Sequence, residues 1–277
     1  MIRRDVQLPD GSAGWMLVSQ IEHARISAQL AEHCLGRFNS PQLADVRREV
    51  LAAIEHHDDG WAEWERSPRL DAEQRPVSFM ELATPEALEI WSRSIESAAE
   101  HGPLAARTVG GHFSRLIDKY SDSTRTDPQA AQWYAAMQRR GADWLDQWMS
   151  AQPAVRNESL ADEALQWLWA FDEASLWFCC TCPVGGEATQ DSRRQSRVIG
   201  RGTPIEMELS ASGAGVGDDP ARGVAFATPW RFDVDAINID AVGRIAPARR
   251  YASSESLLAA SEPYSLRWQL RPTPSKN

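Results

Sequence analysis

The segment HHDDGWAEW (His56–Trp64) combines two histidines with two carboxylates at the end of a predicted amphipathic helix. The unpaired carbonyl groups at a helix C-terminus disfavour Asp58 and Asp59 by about 0.3–1 kcal/mol each at exposed positions. A bound cation would compensate for this repulsion, and histidine together with aspartate is a ligand set for divalent metals. Gly60 is interpreted as the stop signal that follows a helix end.

Ionisable residues also occur on the apolar faces of four predicted helices. Residues spaced three or four apart share one face of a helix. By that spacing the ionisable residues group with apolar ones: His23 with Ile26, Leu30 and Cys34; His57 with Val46, Val50 and Ile54; His112 with Leu104, Val109 and Leu116; Asp172 with Leu165, Leu168 and Leu176. A buried carboxylate without a partner is very costly. The economical arrangement is one shared centre of His23, His57, Asp58 and Asp172, with His112 beside it.

Each of these residues also has a simpler interpretation, which the spacing leaves open. A lone histidine on an apolar stripe is usually a hydrogen-bonded core residue, and a buried aspartate more often pairs with arginine or caps a loop. His56 falls on the polar side of its helix, so we expect it to be solvated. Trp61 and Trp64 directly follow the His–Asp pair, and they either wall a pocket or pack in the core.

The remaining clusters are interpreted structurally. The CCTC sequence at 179–182 contains one C-x-C without a second cysteine pair, which favours buried thiols over a zinc site. The tryptophan-rich helical segments are interpreted as core packing: Trp144, Trp148, Trp167, Trp169 and Trp177. The sequence has no nucleophile elbow, P-loop, dinucleotide fingerprint or HExxH motif.

The elements that must position these residues divide into a helical part and a strand-rich part. Apolar periodicity predicts helices over about 20–35, 41–59, 84–100, 103–120, 128–150 and 158–181. Prolines near the starts of these segments support the assignment. Alternating apolar and polar residues predict strands in TPIEMELSA, GVAFATPW, DAINIDAV, RIAPARRYA and YSLRWQL, interrupted by a short helix in SSESLLAASE. The expected class is α+β.

Four regions follow from this pattern. Residues 1–19 hold two extended pieces that we expect to join the sheet, because two isolated strands are marginally stable. Residues 20–182 form a helical body, and 183–202, rich in Gly, Ser, Arg and Gln, form a connector loop. Residues 203–277 form a small, mostly antiparallel sheet that packs on the body.

Composition restricts the function classes. The chain has 277 residues, 43% hydrophobic and 25% charged, which is typical of a folded globular protein. A net charge of −10 argues against a nucleic-acid duplex or an anionic membrane as partner. The four cysteines make no disulfide framework in a chain of this size, and no signal peptide or membrane span is recognised. The expected location is cytoplasmic, and a homo-oligomer is left open.

The segments SQIEHARISAQLAEH, AAIEHHDDGWAEWERSP, RPVSFMEL, GGHFSRL and FDEASLWFCC, together with TPWRF in the tail, resemble an uncharacterised bacterial family, the domain of unknown function DUF3891. The order His…His-Asp…Asp on successive helices also resembles the HD superfamily of metal-dependent phosphohydrolases. That resemblance implies an HD-like helical bundle. It also implies a divalent metal (Mn, Fe, Mg, Zn or Ni) held by His23, His57, Asp58 and Asp172.

The function that this resemblance implies is a metal-dependent phosphohydrolase acting on a small phosphorylated molecule, a phosphomonoester or phosphodiester, with nucleotides among the candidates. Catalysis is assigned to His112 and Asp58, with His112 either protonating the leaving group or binding a second metal. The expected substrate pocket includes Trp61, Asp59, His112 and Arg115, and Arg107 is a further candidate for phosphate contact. The alternative is a non-catalytic module in which the same centre is structural or degenerate and the pocket senses a ligand.

Overall fold

A computed structural model of the chain describes residues 1–8, 10–120, 127–181, 196–212 and 222–274. Its α-helices are α1 (Gln20–His33), α2 (Ala44–His56), α3 (Ala62–Arg66), α4 (Thr84–Ala99), α5 (Pro103–Tyr120), α6 (Pro128–Ala151), α7 (Glu158–Thr181) and α8 (Ser254–Ala260). Its strands are β1 (Ile2–Gln7), β2 (Ala13–Val18), β3 (Ser196–Ile199), β4 (Met207–Ser212), β5 (Arg222–Thr228), β6 (Ile237–Pro247) and β7 (Glu262–Pro272). The α+β class is confirmed.

The helices begin where local chemistry satisfies their free N–H groups. The Ser19 side chain accepts a hydrogen bond from the Glu22 N–H at the start of α1, and Asp127 accepts from the Gln129 N–H at the start of α6. Proline occupies the first turn of α4 and α6, where its missing N–H costs nothing. The six helices of 13 residues or more (α1, α2, α4, α5, α6 and α7) match the six predicted segments closely, except that α2 is shorter at both ends than the predicted 41–59.

The seven strands form one sheet in the order β1-β2-β6-β7-β5-β4-β3. All neighbours are antiparallel except β5 and β7, which run parallel. The N-terminal hairpin enters the sheet through β2, whose Met16 lies opposite Ile245 of β6. The sheet thus joins the first residues of the chain to the last.

Two strand expectations differ from the structure. RIAPARRYA is not a separate strand, because β6 continues through Gly243 and ends at Pro247. A Cβ on Gly243 would lie 3.0 Å from the Leu17 carbonyl oxygen, so glycine here permits close strand packing. The segment 183–202, expected to be a loop, contains strand β3 at Ser196–Ile199, while residues 182–195 lie outside the described residues.

The helices and the sheet share one hydrophobic core. Helix α1 packs against β6, and α7 packs against β3. Trp268 of β7 contacts Trp177 and Phe178 of α7, and its Nε1–H donates to the Phe178 carbonyl at 3.2 Å. Among the described residues, no helix combines the length and apolar character that a membrane crossing requires.

Candidate metal centre

Four helices bring together four buried ionisable residues and one that is partly exposed, Asp172. His23 lies on α1, His112 on α5 and Asp172 on α7, while His57 and Asp58 directly follow α2. Helix α1 packs against α2 and α7, and α5 also packs against α2 and α7. The residues predicted to converge from their apolar stripes therefore lie together in the structure.

The distances within this cluster are short. His23 Nε2 lies 2.9 Å from Asp172 Oδ1 and 3.8 Å from Asp58 Oδ2. His57 Nε2 lies 3.5 Å from both of these carboxylate oxygens. Two overlapping groups have ligand atoms within 4.8 Å of one another: His23, His57 and Asp58, and His57, His112 and Asp172. His57 belongs to both groups.

The backbone fixes the orientation of the His57 imidazole. Its Nδ1 lies 2.7 Å from the Ile54 carbonyl oxygen, an acceptor, so Nδ1 carries a proton. Its Nε2 is buried, has no hydrogen-bond partner and faces the carboxylates. Burial lowers the pKa of His57, but the charges of Asp58 and Asp172 outweigh burial and raise it to about 9. The Nε2 atom of His57 therefore carries a proton when no metal is bound, and it faces the position where a metal ion would bind.

A pair of buried serines supports His23. Ser175 Oγ lies 2.6 Å from His23 Nδ1 and 2.8 Å from Ser27 Oγ, and it donates to the Asp172 carbonyl at 2.9 Å. With its proton on that carbonyl, Ser175 accepts from the His23 Nδ1–H. This arrangement directs His23 Nε2 into the cluster, as a metal-ligating histidine requires.

The two carboxylates are in different environments. Burial raises the pKa of Asp58 above its usual value, although His57 and His23 oppose this. Burial acts in the same direction on Asp172, but its hydrogen bond to His23 and the close approach of His57 outweigh burial and hold the pKa of Asp172 well below its usual value. The ion pairs of both carboxylates in the described part of the chain are with histidines, not with arginine.

His112 completes the cluster from α5. Its Nδ1 is buried without a hydrogen-bond partner, and its ring contacts His57 and Trp169 at centroid distances of 5.5 and 5.4 Å. Burial lowers the pKa of His112 to about 4, so its imidazole is neutral at neutral pH. A neutral imidazole with an unpartnered nitrogen has the form that binds metals.

The turn after α2 differs from the expected helix stop. Helix α2 ends at His56, and a 3₁₀ turn over Asp59–Trp61 follows Asp58. Gly60 has no positive φ; instead, a Cβ at this position would lie 2.0 Å from the Ile90 carbonyl oxygen of α4. Glycine is needed here because the turn lies directly against α4, where the Gly60 N–H donates to Ser94 Oγ.

Asp59 belongs to a separate surface cluster and not to the expected substrate pocket. Its Oδ2 accepts a hydrogen bond from Ser97 Oγ at 2.7 Å and lies 2.9 Å from His56 Nδ1. His56 in turn stacks on His101 with a centroid distance of 4.2 Å. The carboxylate is therefore occupied by these neighbours, and Asp59 does not line the pocket.

The five side chains His23, His57, Asp58, His112 and Asp172, here called the metal cluster because they could hold a metal ion, lie at the floor of a pocket of about 340 Å³. Four cluster residues line it: His23, Asp58, His112 and Asp172. Its walls are largely aromatic, with Trp61, Phe79, Trp91, Phe113 and Trp169. Asp172 is the more solvent-accessible of the two carboxylates, with 14% of its side chain exposed against 6% for Asp58.

Neither of the two arginines considered for phosphate contact lines this pocket. Arg107 forms an ion pair with Asp162 at 2.8 Å and does not line the pocket. Arg115 lies over the Trp169 ring at 4.5 Å and lines a recess beside the pocket. Trp169 itself was interpreted as core packing, yet it lines the pocket; its position three residues before Asp172 on α7 was the available signal.

A family model described as Protein of unknown function (DUF3891) matches residues 1–247. The chain belongs to this family. The matched residues contain all members of the metal cluster and six of the seven strands, because only β7 lies beyond them. A comparison with curated proteins and with solved structures gave no match.

The donor set of this DUF3891 protein fits a divalent metal ion. Bonds of 2.0–2.2 Å to histidine nitrogen and carboxylate oxygen place neighbouring ligand atoms about 3.0–3.5 Å apart. The four histidine–aspartate separations of 2.9–3.8 Å are close to that range, and the sets whose ligand atoms all lie within 4.8 Å of one another are His23, His57 and Asp58, and His57, His112 and Asp172. The unpartnered nitrogens of His57 and His112 are the further observation that favours a cation in this cluster.

Proposed function

We propose that this protein is a metal-dependent phosphohydrolase that acts on a small phosphate ester, either a monoester or a diester such as a nucleotide. The observation that carries the proposal is that the metal cluster forms the floor of an open pocket. A structural metal site is closed by protein ligands, whereas a catalytic one keeps a position accessible to substrate. We further propose that the helices around the cluster form an HD-like bundle.

The metal would be held by His23, His57, Asp58 and Asp172, with His112 next to it. A bound divalent ion supplies Lewis-acid chemistry, polarising a phosphoryl oxygen and increasing the acidity of water. The chain's own residues do the positioning: Ser175 orients His23, and the Ile54 carbonyl orients His57.

The pocket walls define where an ester binds. Trp61, buried to 3% exposure, lies beside Asp58, while Trp91 and Phe113 stack on each other 5.2 Å apart. These surfaces exclude water and favour a planar or apolar alcohol group. His112 also lines the pocket, and because its lowered pKa leaves the imidazole neutral, an additional metal ligand is the role that fits it, rather than the proton donor to the leaving group.

The experiment begins with elemental analysis of protein purified without chelator, followed by a panel of phosphomonoesters and phosphodiesters with metal added back. We expect about one to two divalent ions per chain and hydrolysis that chelation abolishes. Asp172→Ala should abolish both metal binding and hydrolysis, because it removes a ligand from the cluster.

Asp59→Ala is the matched control, because Asp59 neighbours Asp58 in sequence but contacts His56 and Ser97. It should keep the metal. Stoichiometric metal without hydrolysis of any ester would favour the alternative, a ligand-sensing or structural module. Absence of metal from the native chain would contradict the proposal.

A further inference from the structure

A basic recess adjoins the mouth of the pocket. Among the residues that the structure describes, it is lined by four cationic side chains, Arg115, Lys119, Arg197 and Arg201, and by one carboxylate, Glu173. The chain as a whole carries 39 acidic and 29 basic residues. A concave surface with this excess of positive charge is therefore the reverse of the average surface of the molecule.

Trp169 holds two of these cations in place. The Arg115 guanidinium lies 4.5 Å from the centre of its ring, and Lys119 Nζ lies 4.9 Å from it. Both cations come from one face of α5, four residues apart. The indole orders these two long side chains through cation–π contacts, so less conformational entropy is lost when they bind an anion.

Arg197 of β3 enters the recess from the sheet. Its Nη2 and Nε lie 2.6 and 2.9 Å from Glu173 Oε1, which fixes the position of its guanidinium. Glu173 neutralises one charge and leaves the recess with a net positive charge, since Arg115, Lys119 and Arg201 also line it.

The recess is continuous with the pocket above the metal cluster. Lys119, Trp169, Glu173 and Arg197 line both. The Trp169 ring is the link, because it contacts the His112 ring at 5.4 Å and also lies beneath the cations. A ligand with one group on the cluster can therefore extend a second group past Trp169 into the recess.

We propose that this recess binds a second phosphate group of the substrate, so that the substrate is an ester carrying two separate phosphate-bearing positions. The inference depends on the proposed function only for the phosphate that lies at the metal cluster. The phosphate in the recess is inferred from the recess itself. Arginine and lysine side chains bind phosphate through charge-assisted hydrogen bonds, and a recess with several of them discriminates against singly charged esters.

The test is calorimetric titration of inorganic pyrophosphate into the full chain, both chelator-treated and metal-loaded. Lys119→Met removes a charge but keeps the apolar stem, and Arg115→Gln does the same for the second cation. We expect each to weaken pyrophosphate binding by about tenfold in the chelator-treated protein, which is about 1.4 kcal/mol.

Arg140→Gln is the matched control, because Arg140 stacks on Trp144 at 4.7 Å but lines neither the pocket nor the recess. It should leave the affinity unchanged. In the metal-loaded protein, Arg115→Gln should raise KM for a bisphosphorylated ester by a larger factor than KM for 4-nitrophenyl phosphate, because Arg115 lines the recess but not the pocket.

Equal pyrophosphate affinity in all variants would overturn the second phosphate site. If Asp172→Ala abolished pyrophosphate binding to the chelator-treated protein, the second phosphate site would also be overturned. Pyrophosphate would then bind at the metal cluster and not in the recess. The two proposals can fail separately. If the protein held no metal and hydrolysed no ester, but still bound pyrophosphate more weakly after Lys119→Met and Arg115→Gln, the recess would be supported and the proposed function would fail.

Discussion

At the residue scale, the site depends on which nitrogen of each histidine faces inwards. His57 donates from Nδ1 to the Ile54 carbonyl, and His23 Nδ1 contacts Ser175. In both residues this leaves Nε2 directed at the carboxylates. Supporting hydrogen bonds of this kind keep the ligands in place before the metal arrives.

Ser175→Ala removes the Nδ1 partner of His23 without touching the cluster atoms that face the pocket. Loss of such a partner typically costs 10–100-fold in metal affinity, and we expect a loss of about that size. Competition with a chromogenic chelator measures it. Ser114→Ala is the control, because buried Ser114 donates to the Gly110 carbonyl on α5. Equal affinity in both variants would contradict the positioning role of Ser175.

Cys34 gives a prediction about pH. Burial raises the pKa of its thiol to about 12, although Arg231 and Arg47 oppose this. A free cysteine ionises at about pH 8.5, so Cys34 should resist iodoacetamide there in the native protein and react in urea. Since the unfolded thiol loses its proton first, its contribution to stability falls as pH rises from 9 to 12. Peptide mapping that shows rapid native labelling of Cys34 would contradict this.

The spacing of apolar residues was sufficient to predict that His23, His57, Asp58 and Asp172 converge, because an apolar stripe indicates which face of a helix is buried. The role of Ser175 was not predicted. From the sequence, a serine that bonds only to its own helix backbone cannot be distinguished from one that also orients a metal-ligating histidine. Trp169 was misassigned, because periodicity places a residue on a face but does not distinguish a packed core from a cavity wall.

At the element scale, the site depends on how closely the turn after α2 approaches α4. The 3₁₀ turn contacts α4 through Gly60 and Ser94, and this contact sets the direction in which Asp58 leaves the helix. From sequence, a glycine that ends a helix and a glycine that permits backbone contact look the same. The structure separates them through φ and through the 2.0 Å approach to Ile90.

Gly60→Ala should destabilise the protein by roughly 3 kcal/mol, the upper part of the range for overpacking, because backbone on α4 must move. Urea unfolding with the metal chelated measures this. Gly141→Ala in α6 is the control: nothing lies within 4 Å of its Cβ. There we expect a gain of about 0.5–1 kcal/mol, from better helix propensity. A tolerated Gly60→Ala would show that the turn is less tightly packed than described.

Strand β3 shows why strand prediction failed in one place. Its sequence, SRVI, follows a run of Arg, Gln and Ser and has only one fully buried side chain, Ile199. A four-residue edge strand with exposed polar residues has almost no alternating signal. Yet this strand supplies Arg197, so an element that periodicity misses contributes to the basic recess.

At the scale of the whole molecule, helices and sheet are expected to unfold together, because their side chains form one core. Trp268→Ala removes a fully packed indole between β7 and α7, and we expect a loss of roughly 3–5 kcal/mol. Far-ultraviolet circular dichroism and tryptophan fluorescence should report one coincident transition, in the variant as in the wild type. Two separate transitions would show that the sheet is an independent unit.

The position of the N-terminal hairpin affects the order of folding. Strand β2 is synthesised long before its partner β6, which begins at Ile237, and Met16 pairs with Ile245. At about 5–20 residues per second, the ribosome takes roughly 10–50 s to reach that partner. Pairings this distant along the chain also close slowly, because loop entropy must be overcome first. The apolar residues of β2 therefore remain without this partner on the nascent chain until β6 has been synthesised, and chaperone binding at Gly14–Val18 is the expected cellular response.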